Sequence, residues 1–518
     1  MEGLVTSLNN IIWSSALVFL CLGAGLFYSV LTRFAQLRHF REMCRLLFQG
    51  NESEQGISSF QALAVSLSGR VGVGNIAGVA AAIGFGGPGA VFWMWVVAFL
   101  GASTAYAEST LGQLYKVEED GQYRGGPAYY FERCLGQRWL AVLFALAAIV
   151  ACGMFLPGVQ ANAVGNAVAQ VFGEGTMVVT EFGEVGSNKL VALAIILMIL
   201  AFIIFGGIKR IAHFTQIVVP FMAIGYIIMA LIIIFLNLSQ LPSVIGMIFS
   251  DAFTAQAGFG AAIGWGVRRG IYSNEAGQGT GPHAASAAEV DHPAQQGLVQ
   301  AFSVYVDTLF VCSATAFMIL ITQQYNIQGT LEVGQFLVQN VDAGTEINSA
   351  AFTQLALFSV FGNFGPIFVG VSLFFFAFTT ILAYYYIAET NTAYLNRYFK
   401  ARIPLAAVKF MIMFMVAYGM VNNAGFIWTI GDIGVGLMAW INIVGILAIY
   451  FVAGPAITCL KDYEAQLKSG QPITFDPRKL GIKNATFWER RHDKANASPD
   501  NSPSKETTSS RTEPDQPR

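Results

Sequence analysis

Gly69-Arg70-Val71-Gly72-Val73-Gly74-Asn75 lies in the middle of a long apolar segment, residues 57–85. Three glycines within six residues, with an arginine among them, make a poor helix interior. In hydrocarbon, an unpaired backbone group is tolerated only where protein buries it or where it lines a cavity. The stretch therefore predicts a membrane-crossing helix interrupted near its middle. Such an interruption is the sequence mark of a transporter's binding site.

The composition agrees. The chain has 518 residues, 55% of them hydrophobic and 12% charged, whereas soluble domains carry about 25% charged residues. A soluble protein this apolar could not cover its own surface. The 54 glycines suit close helix packing in lipid, and 42 Phe with 18 Tyr suit a membrane interior with aromatic belts. A net charge of −2 without a basic domain argues against nucleic acid as a partner. The six cysteines show neither zinc-ligand spacing nor a CxxC pair, so they read as small buried hydrophobes. No Lys or Arg precedes the first apolar stretch, residues 11–32, so it does not read as a signal peptide.

A bilayer crossing takes roughly 20 apolar residues. Eleven stretches qualify: 11–32, 57–85, 88–114, 139–171, 189–207, 211–236, 251–273, 297–322, 363–388, 403–421 and 425–453. Positive charge orients them. Arg33, Arg38, Arg41 and Arg45 follow the first stretch. Lys116, Arg124, Arg133 and Arg138, then Lys209 and Arg210, then Arg397, Lys400 and Arg402 fall in later loops on the same side. The opposite loops, 172–188, 237–250 and 323–362, hold no Lys or Arg and carry Glu174, Glu181, Glu184, Glu332, Asp342 and Glu346. The positive-inside rule then places the N-terminus outside and the C-terminus in the cytosol.

On this count, residues 1–56 form an extra N-terminal span and an amphipathic cytosolic link, 33–56. Residues 57–236 form a first set of five spans and 237–459 a second; 460–518 form a cytosolic, largely disordered tail. Segment 127–137 reads as an interfacial helix with Tyr129, Tyr130 and Phe131 at headgroup level. The two sets have opposite topology. Each opens on a glycine-broken span, the second at Gly258-Phe259-Gly260-Ala261-Ala262-Ile263-Gly264. Matching interruptions in corresponding positions point to an inverted-repeat transporter. Glycines at tight helix crossings are the competing explanation for either segment alone. A half-helix N-terminus attracts a carboxylate, and unwound carbonyls attract a cation or an ammonium. A zwitterion needs both.

Four motifs in register, GRVGVGNIAGVA (69–80), RGGPAYY (124–130), GIYSNEAG (270–277) and Phe378-Thr379-Thr380, resemble those of the alanine or glycine:cation symporter family, and the likeness extends over residues 10–455. The resemblance implies an all-α polytopic membrane protein of eleven transmembrane helices. It also implies the leucine-transporter-like 5+5 inverted repeat of the amino acid–polyamine–organocation superfamily, with one extra N-terminal helix. Its function would be sodium-coupled import of small neutral amino acids across a bacterial inner (plasma) membrane, with Na⁺ as coupling ion and no organic cofactor or obligate protein partner. By the same resemblance, Gly72, Val73, Gly74 and Asn75 meet the substrate carboxylate, Gln160 faces the substrate, Phe259 beside Gly260 covers it, and Tyr384 walls the side-chain pocket. Thr379 and Thr380, with carbonyls near Gly69 and Val71, would form an all-oxygen sodium site suited to a hard cation. The chain departs from the pattern at Val73, where many members have Thr, and at Tyr384, where many have Trp. A phenol in place of an indole changes pocket size and hydrogen bonding, which leaves alanine, glycine, serine and glutamine open as substrates.

Other polar residues inside the spans carry two readings each. Asp307 lies mid-span, where a lone carboxylate costs about 2.5–3.5 kcal/mol; it serves a cation or a gate, or it pairs with a neighbouring Thr, Asn or Arg. Arg70 is a candidate partner for an intramembrane carboxylate, and Asp432 raises the same question. Glu108, nearer the cytosolic face, reads with Tyr106 as part of an inner gate. Arg268 and Arg269 with Glu275 form a candidate inner latch, and His283 and His292 fall in a solvated or gate-linked cytosolic loop, 274–296. Residues 72–77 also fit a dinucleotide fingerprint, but no strand–turn–helix unit surrounds them. Alternatives to sodium-coupled import are proton coupling through Asp307, selectivity for glutamine, and a sensor that binds an amino acid without moving it. An enzyme is disfavoured because no nucleophile–base pair or metal cluster is evident.

Overall fold

The computed structural model describes residues 2–48, 53–180, 183–253, 259–328, 336–398 and 402–497. Its long apolar stretches are helical because only a helix or a closed barrel satisfies the backbone in lipid. Helices α1 (Glu2–Ile12) and α2 (Ser15–Leu31) lead into the short α3 (Ala35–Arg38) and α4 (Phe40–Leu47). α4 is amphipathic, burying Met43, Leu46 and Leu47 and exposing Arg41 and Arg45. Next come α5 (Ser59–Arg70), α6 (Ala77–Gly86), α7 (Gly89–Leu114), the hairpin β1 (Val117–Glu119) and β2 (Gln122–Arg124), and α8 (Pro127–Leu135). α9 (Arg138–Val150) and α10 (Leu156–Phe172) join through a π-helical turn at Ala151–Phe155. Hairpin β3 (Met177–Thr180) and β4 (Gly183–Gly186) precedes α11 (Ser187–Ile204), α12 (Gly207–Leu236) and α13 (Leu241–Asp251). α14 (Phe259–Asn274) and α15 (Gly281–Ala287) follow, then α16 (Pro293–Val304) and α17 (Ser313–Ile321), joined by π-helical Tyr305–Cys312. The chain continues through β5 (Asn326–Gln328), β6 (Phe336–Gln339), α18 (Ala351–Phe361), α19 (Phe364–Asn396), α20 (Leu405–Val421) and α21 (Ala424–Val452). It ends, among the described residues, in α22 (Pro455–Ser469) and α23 (Thr486–Ala497).

Among the described residues, eight helical rods are long and apolar enough to cross a membrane, each over one of the expected stretches. The other three stretches are interrupted or short: α5–α6, α14–α15 and α20. The first interruption lies where the glycines predict it. α5 begins on a reciprocal cap between Ser58 and Gln61. It ends where Val71 (ψ 84°) and Gly72 (φ −136°, ψ −151°) leave the helical region. α5 packs on α15 and α6 on α14. Since the chain runs from α5 to α6 and from α14 to α15, the two broken helices lie antiparallel.

Several expectations need correction. The second break is not at 258–264. α14 is continuous from Phe259 to Asn274, and the chain unwinds at residues 275–280 instead. Gly260 therefore sits inside a helix, with open space where a Cβ would be; the side chain of Phe259 lies outside the described residues. Residues 274–296 are not a solvated loop but the break, α15 and the start of α16, and His283 and His292 are buried. Tyr129, Tyr130 and Phe131 on α8 point into the protein rather than at headgroups. Much of the segment expected to be disordered is structured: α22 and α23 dock on the rest of the chain through buried Tyr463 and Trp488.

Candidate functional site

At the first break, side chains take up several of the freed backbone groups. In an unbroken helix the Gly72 amide would bond the Ser68 carbonyl, and the Val73 amide that of Gly69. Here the Gly72 amide donates to Asn75 Oδ1 at 2.8 Å, and the Val73 amide donates to Gln160 Oε1 on α10 at 3.1 Å. The Ser68 carbonyl instead meets the Thr380 hydroxyl of α19 at 2.8 Å, which shares its one proton with the Phe376 carbonyl of its own helix, also at 2.8 Å. Carbonyls at the end of α5 are thereby turned out of the helix ladder. Thr380 approaches so closely that a Cβ on Gly72 would lie 2.5 Å from its Oγ1. Thr379 bonds back to the Phe375 and Phe376 carbonyls of its own helix, at 2.9 and 3.1 Å.

Asp307 has partners across the same break. Asn75 Nδ2 donates to its Oδ1 at 2.6 Å, Ser273 Oγ at 3.0 Å, and Thr308 Oγ1 donates to its Oδ2 at 2.7 Å. Ser273 is the penultimate residue of α14, so Asp307 ties the first break to the lip of the second. The fit is close: a Cβ on Gly74 would lie 3.1 Å from the Ser273 Cα and 3.2 Å from the Tyr272 ring.

The second break starts with Glu275 in the left-handed region (φ +56°) and turns on Gly277 (φ +83°) and Gly279 (φ +80°). Glu108 of α7 holds it. Its carboxylate accepts the amides of Gly277 and Gly279 at 3.2 and 3.1 Å, and Asn442 Nδ2 at 2.6 Å. Glu108 is thus a buried clamp on the backbone of the second break. Glu275 accepts the Thr280 hydroxyl at 2.8 Å, and its carboxylate packs against Gly69 at the first break, where a Cβ would come within 3.2 Å. Tyr384 turns its phenol toward Glu275. Arg70 is buried, bonds the Gln300 carbonyl at 3.2 Å, and lies in the attractive field of Glu275, Glu108 and Asp307 without touching any of them.

Arg268 and Arg269 do not pair with Glu275. Both reach Asp432 on α21, Arg269 at 3.0 Å. Arg269 lies against the rings of Trp265 and Trp428, 5.1 and 4.9 Å from their centroids. Removing one member of a buried charge cluster leaves the others uncompensated, at about 3–5 kcal/mol. Asp432→Asn is expected to lower the thermal unfolding midpoint of the purified protein by several degrees; an unchanged midpoint means that the two guanidinium groups have other support.

The structure thus gathers Gly69 to Asn75, Gln160, Asp307, Glu108 and Thr380 around two facing breaks, with Tyr384 alongside. Gly260 stands apart, and the Thr379 hydroxyl is spent within its own helix. Sequence reasoning missed Tyr272 and Ser273 as contact residues and gave Glu275 to a latch with Arg268 and Arg269, although all three lie within GIYSNEAG, 270–277.

Comparison with known proteins gives a consistent result. The family model described as the sodium:alanine symporter family matches residues 1–477. The putative sodium/proton-dependent alanine carrier protein YrbD of Bacillus subtilis (strain 168) is 54% identical, over 95% of this chain and 98% of its own length. The sodium/proton-dependent alanine carrier protein of Bacillus sp. (strain PS3) is 47% identical, over 86% of this chain and 97% of its own. The crystal structure of MhsT in complex with L-phenylalanine superposes with a TM-score of 0.54 at 15% identity, over 79% of this chain and 99% of that one, a likeness that bears on the fold alone.

Proposed function

Because the chain belongs to the sodium:alanine symporter family, we propose that it imports alanine or a similarly small neutral amino acid together with sodium, by alternating access. The observation that carries this reading is the buried meeting of two antiparallel interrupted helices, with residues 69–75 facing 273–280. Counting α5–α6, α14–α15 and α20 with the eight long rods gives eleven crossings: an extra N-terminal one, then two inverted sets of five. On that count the N-terminus is outside and the C-terminus cytosolic in a bacterial plasma membrane.

Under this reading the substrate carboxylate meets the amides of Gly72 to Asn75, of which those of Gly72 and Val73 now rest on Asn75 and Gln160. Sodium sits where Thr380 already meets a carbonyl of α5, close to Gly69 and Val71. Two oxygen types and no sulfur or nitrogen suit a hard monovalent ion. One Na⁺ falling through about 100 mV supplies about 2.3 kcal/mol. A tenfold sodium gradient adds about 1.4 kcal/mol, so one-to-one coupling sustains an accumulation of about 500-fold. Uptake of radiolabelled alanine, glycine, serine and glutamine into proteoliposomes, with and without a sodium gradient, tests the reading. Sodium-stimulated alanine uptake is expected; no sodium-dependent uptake of any of the four refutes it.

Thr380→Ala removes the hydroxyl that meets the α5 carbonyl. It is expected to raise the sodium half-saturation of uptake about tenfold, as loss of one polar contact of about 1–1.5 kcal/mol would, with the order of substrates unchanged. An unchanged sodium half-saturation removes Thr380 from the ion site. The names of the two Bacillus relatives also favour a second reading, in which protons drive or share the transport. Uptake in sodium-free buffer under an imposed pH gradient separates the two.

A further inference from the structure

Past the last long helix, Gly454 (φ +57°) turns the chain along the face assigned above to the cytosol. α22 buries Cys459, Leu460 and Tyr463 and packs on α7 and α16. Its Asp462 lies 3.2 Å from His292 Nε2, and Phe475 meets the same imidazole edge-on at 4.8 Å between centroids. α23 then docks through two anchors. Trp488, 1% exposed, donates its indole N–H to the Gln113 carbonyl at 2.9 Å. Arg491 donates to the Val290 carbonyl at 2.7 Å and pairs with Glu289 at 2.6 Å and Asp291 at 3.5 Å. Between the anchors, the Lys116 ammonium stands 4.1 Å from the Tyr123 ring centroid, 4.5 Å from that of Phe487 and 5.5 Å from that of Trp488. It donates to the Ala288 carbonyl at 2.9 Å. α23 therefore bears on Ala288–Asp291 directly and through Lys116.

The same short segment is stitched to the start of α5. The Ile57 amide donates to the Ala287 carbonyl at 3.0 Å, and the Glu289 amide donates to the Ile57 carbonyl at 2.8 Å. Tyr123 adds a bond to Glu289 Oε2 at 2.8 Å. One side of residues 287–291 thus closes the cytosolic ends of the two broken helices on each other, and the other side is covered by α23. If α5 swings away from α15 to open the inner path, the Ile57 bridge must part. With α23 docked, its far strand is held in the paired conformation.

We propose that α22 and α23 form a strap that keeps the cytosolic ends of the two broken helices paired, and that inward opening requires α23 to lift from Ala288–Asp291. This rests on the alternating-access reading given above. α22 is the fixed end, anchored along α7 and α16; α23 is the releasable end, held by Trp488 and Arg491 together with Phe487 against the Tyr123 ring and Thr486 on Arg133. The strap acts on the rate of inward opening and leaves the buried breaks untouched.

The test uses the full chain in inside-out vesicles, with the partly exposed Cys44 and Cys134 replaced by Ser and a reporter, Ser59→Cys, on the buried first turn of α5; labelling is read as the excess over the same chain with Ser59 retained, because Cys21, Cys152, Cys312 and Cys459 remain. A membrane-impermeant maleimide reports cytosolic opening. Arg491→Glu, and the double variant Trp488→Ala/Arg491→Glu, are expected to speed labelling about fivefold or more, as loss of a local closing contact does. Adding Glu289→Arg to Arg491→Glu restores the ion pair in reverse and is expected to restore slow labelling. An unchanged or slower rate in the double variant overturns the strap, whether hydrogen exchange finds the α23 amides exposed or still protected. Sodium and alanine together should change Ser59→Cys labelling with the strap intact. Failure of that response in every chain sinks the transport reading, whereas a normal response with strap variants that label like the parent sinks only the strap.

Discussion

Gly72→Ala abolishes sodium-driven alanine uptake, to below about one hundredth of the parent rate. The added methyl would lie 2.5 Å from Thr380 Oγ1 and 3.1 Å from Gln160 Oε1, and the first distance is one that packed carbon atoms do not adopt. Thr380 is β-branched on a long helix, so its hydroxyl cannot move without changing rotamer. A change of rotamer gives up its contact with the Ser68 carbonyl. Movement of α5 instead would pull the Val73 amide from Gln160. Either way one of the two features assigned to sodium and substrate is lost, and overpacking of about 1–3 kcal/mol falls on the junction that must open and close. The double variant Gly72→Ala/Thr380→Ala removes the clashing oxygen. It is expected to regain alanine binding, measured by calorimetry at saturating sodium, but not the parent sodium half-saturation. That non-additive pattern is the signature of direct contact. Single-variant uptake above half the parent rate would show that the break has slack at Gly72 and does not seat the ion there.

The two breaks were not equally legible. The first stands out because glycines and an arginine interrupt an otherwise apolar span, and nothing about a lipid-facing helix explains them. The second was misplaced because a glycine in sequence does not say why it is glycine. In α14, Gly260 and Gly264, two glycines of the expected break, have open space where a Cβ would be, and Gly266 and Gly270 let α7 approach: there a Cβ would lie 2.5 Å from the Ala90 carbonyl and 2.4 Å from Val97. Gly277 and Gly279 instead adopt positive φ. Close packing and left-handed backbone draw on the same residue for different reasons, and only the partner distinguishes them. That partner is Glu108, some 170 positions away in sequence. The same limit applies to Asp307, which draws partners from two other elements, Asn75 at the first break and Ser273 on α14, and to Asp432, which draws Arg268 and Arg269 away from Glu275. The tail misled for another reason: its polar composition masks Tyr463, Phe475, Phe487 and Trp488, buried aromatics that help to dock it.

Glu108→Gln is expected to weaken alanine affinity about 10–100-fold with a smaller effect on sodium half-saturation, the reverse of Thr380→Ala. The carboxylate accepts from two backbone amides and from Asn442 at once. A carboxamide offers one accepting oxygen and an NH₂ group, so at least one amide N–H of the second break faces another donor. An unmet buried donor costs about 1–3 kcal/mol. Gly277 and Gly279 have no side chains to hold their positive φ, so the geometry of residues 275–280 depends on this clamp. Loosening it shifts Glu275, which packs on Gly69, and Ser273, which bonds Asp307. The substitution also removes a negative charge from the field around buried Arg70, and buried charge left without compensation resists closure of the site. Glu108→Asp keeps the charge but not the reach, and should fall between parent and Glu108→Gln. Uptake against alanine concentration at saturating sodium measures the effect. A half-saturation for alanine within twofold of the parent would show that the second break holds its shape without Glu108 and that the clamp is incidental to binding.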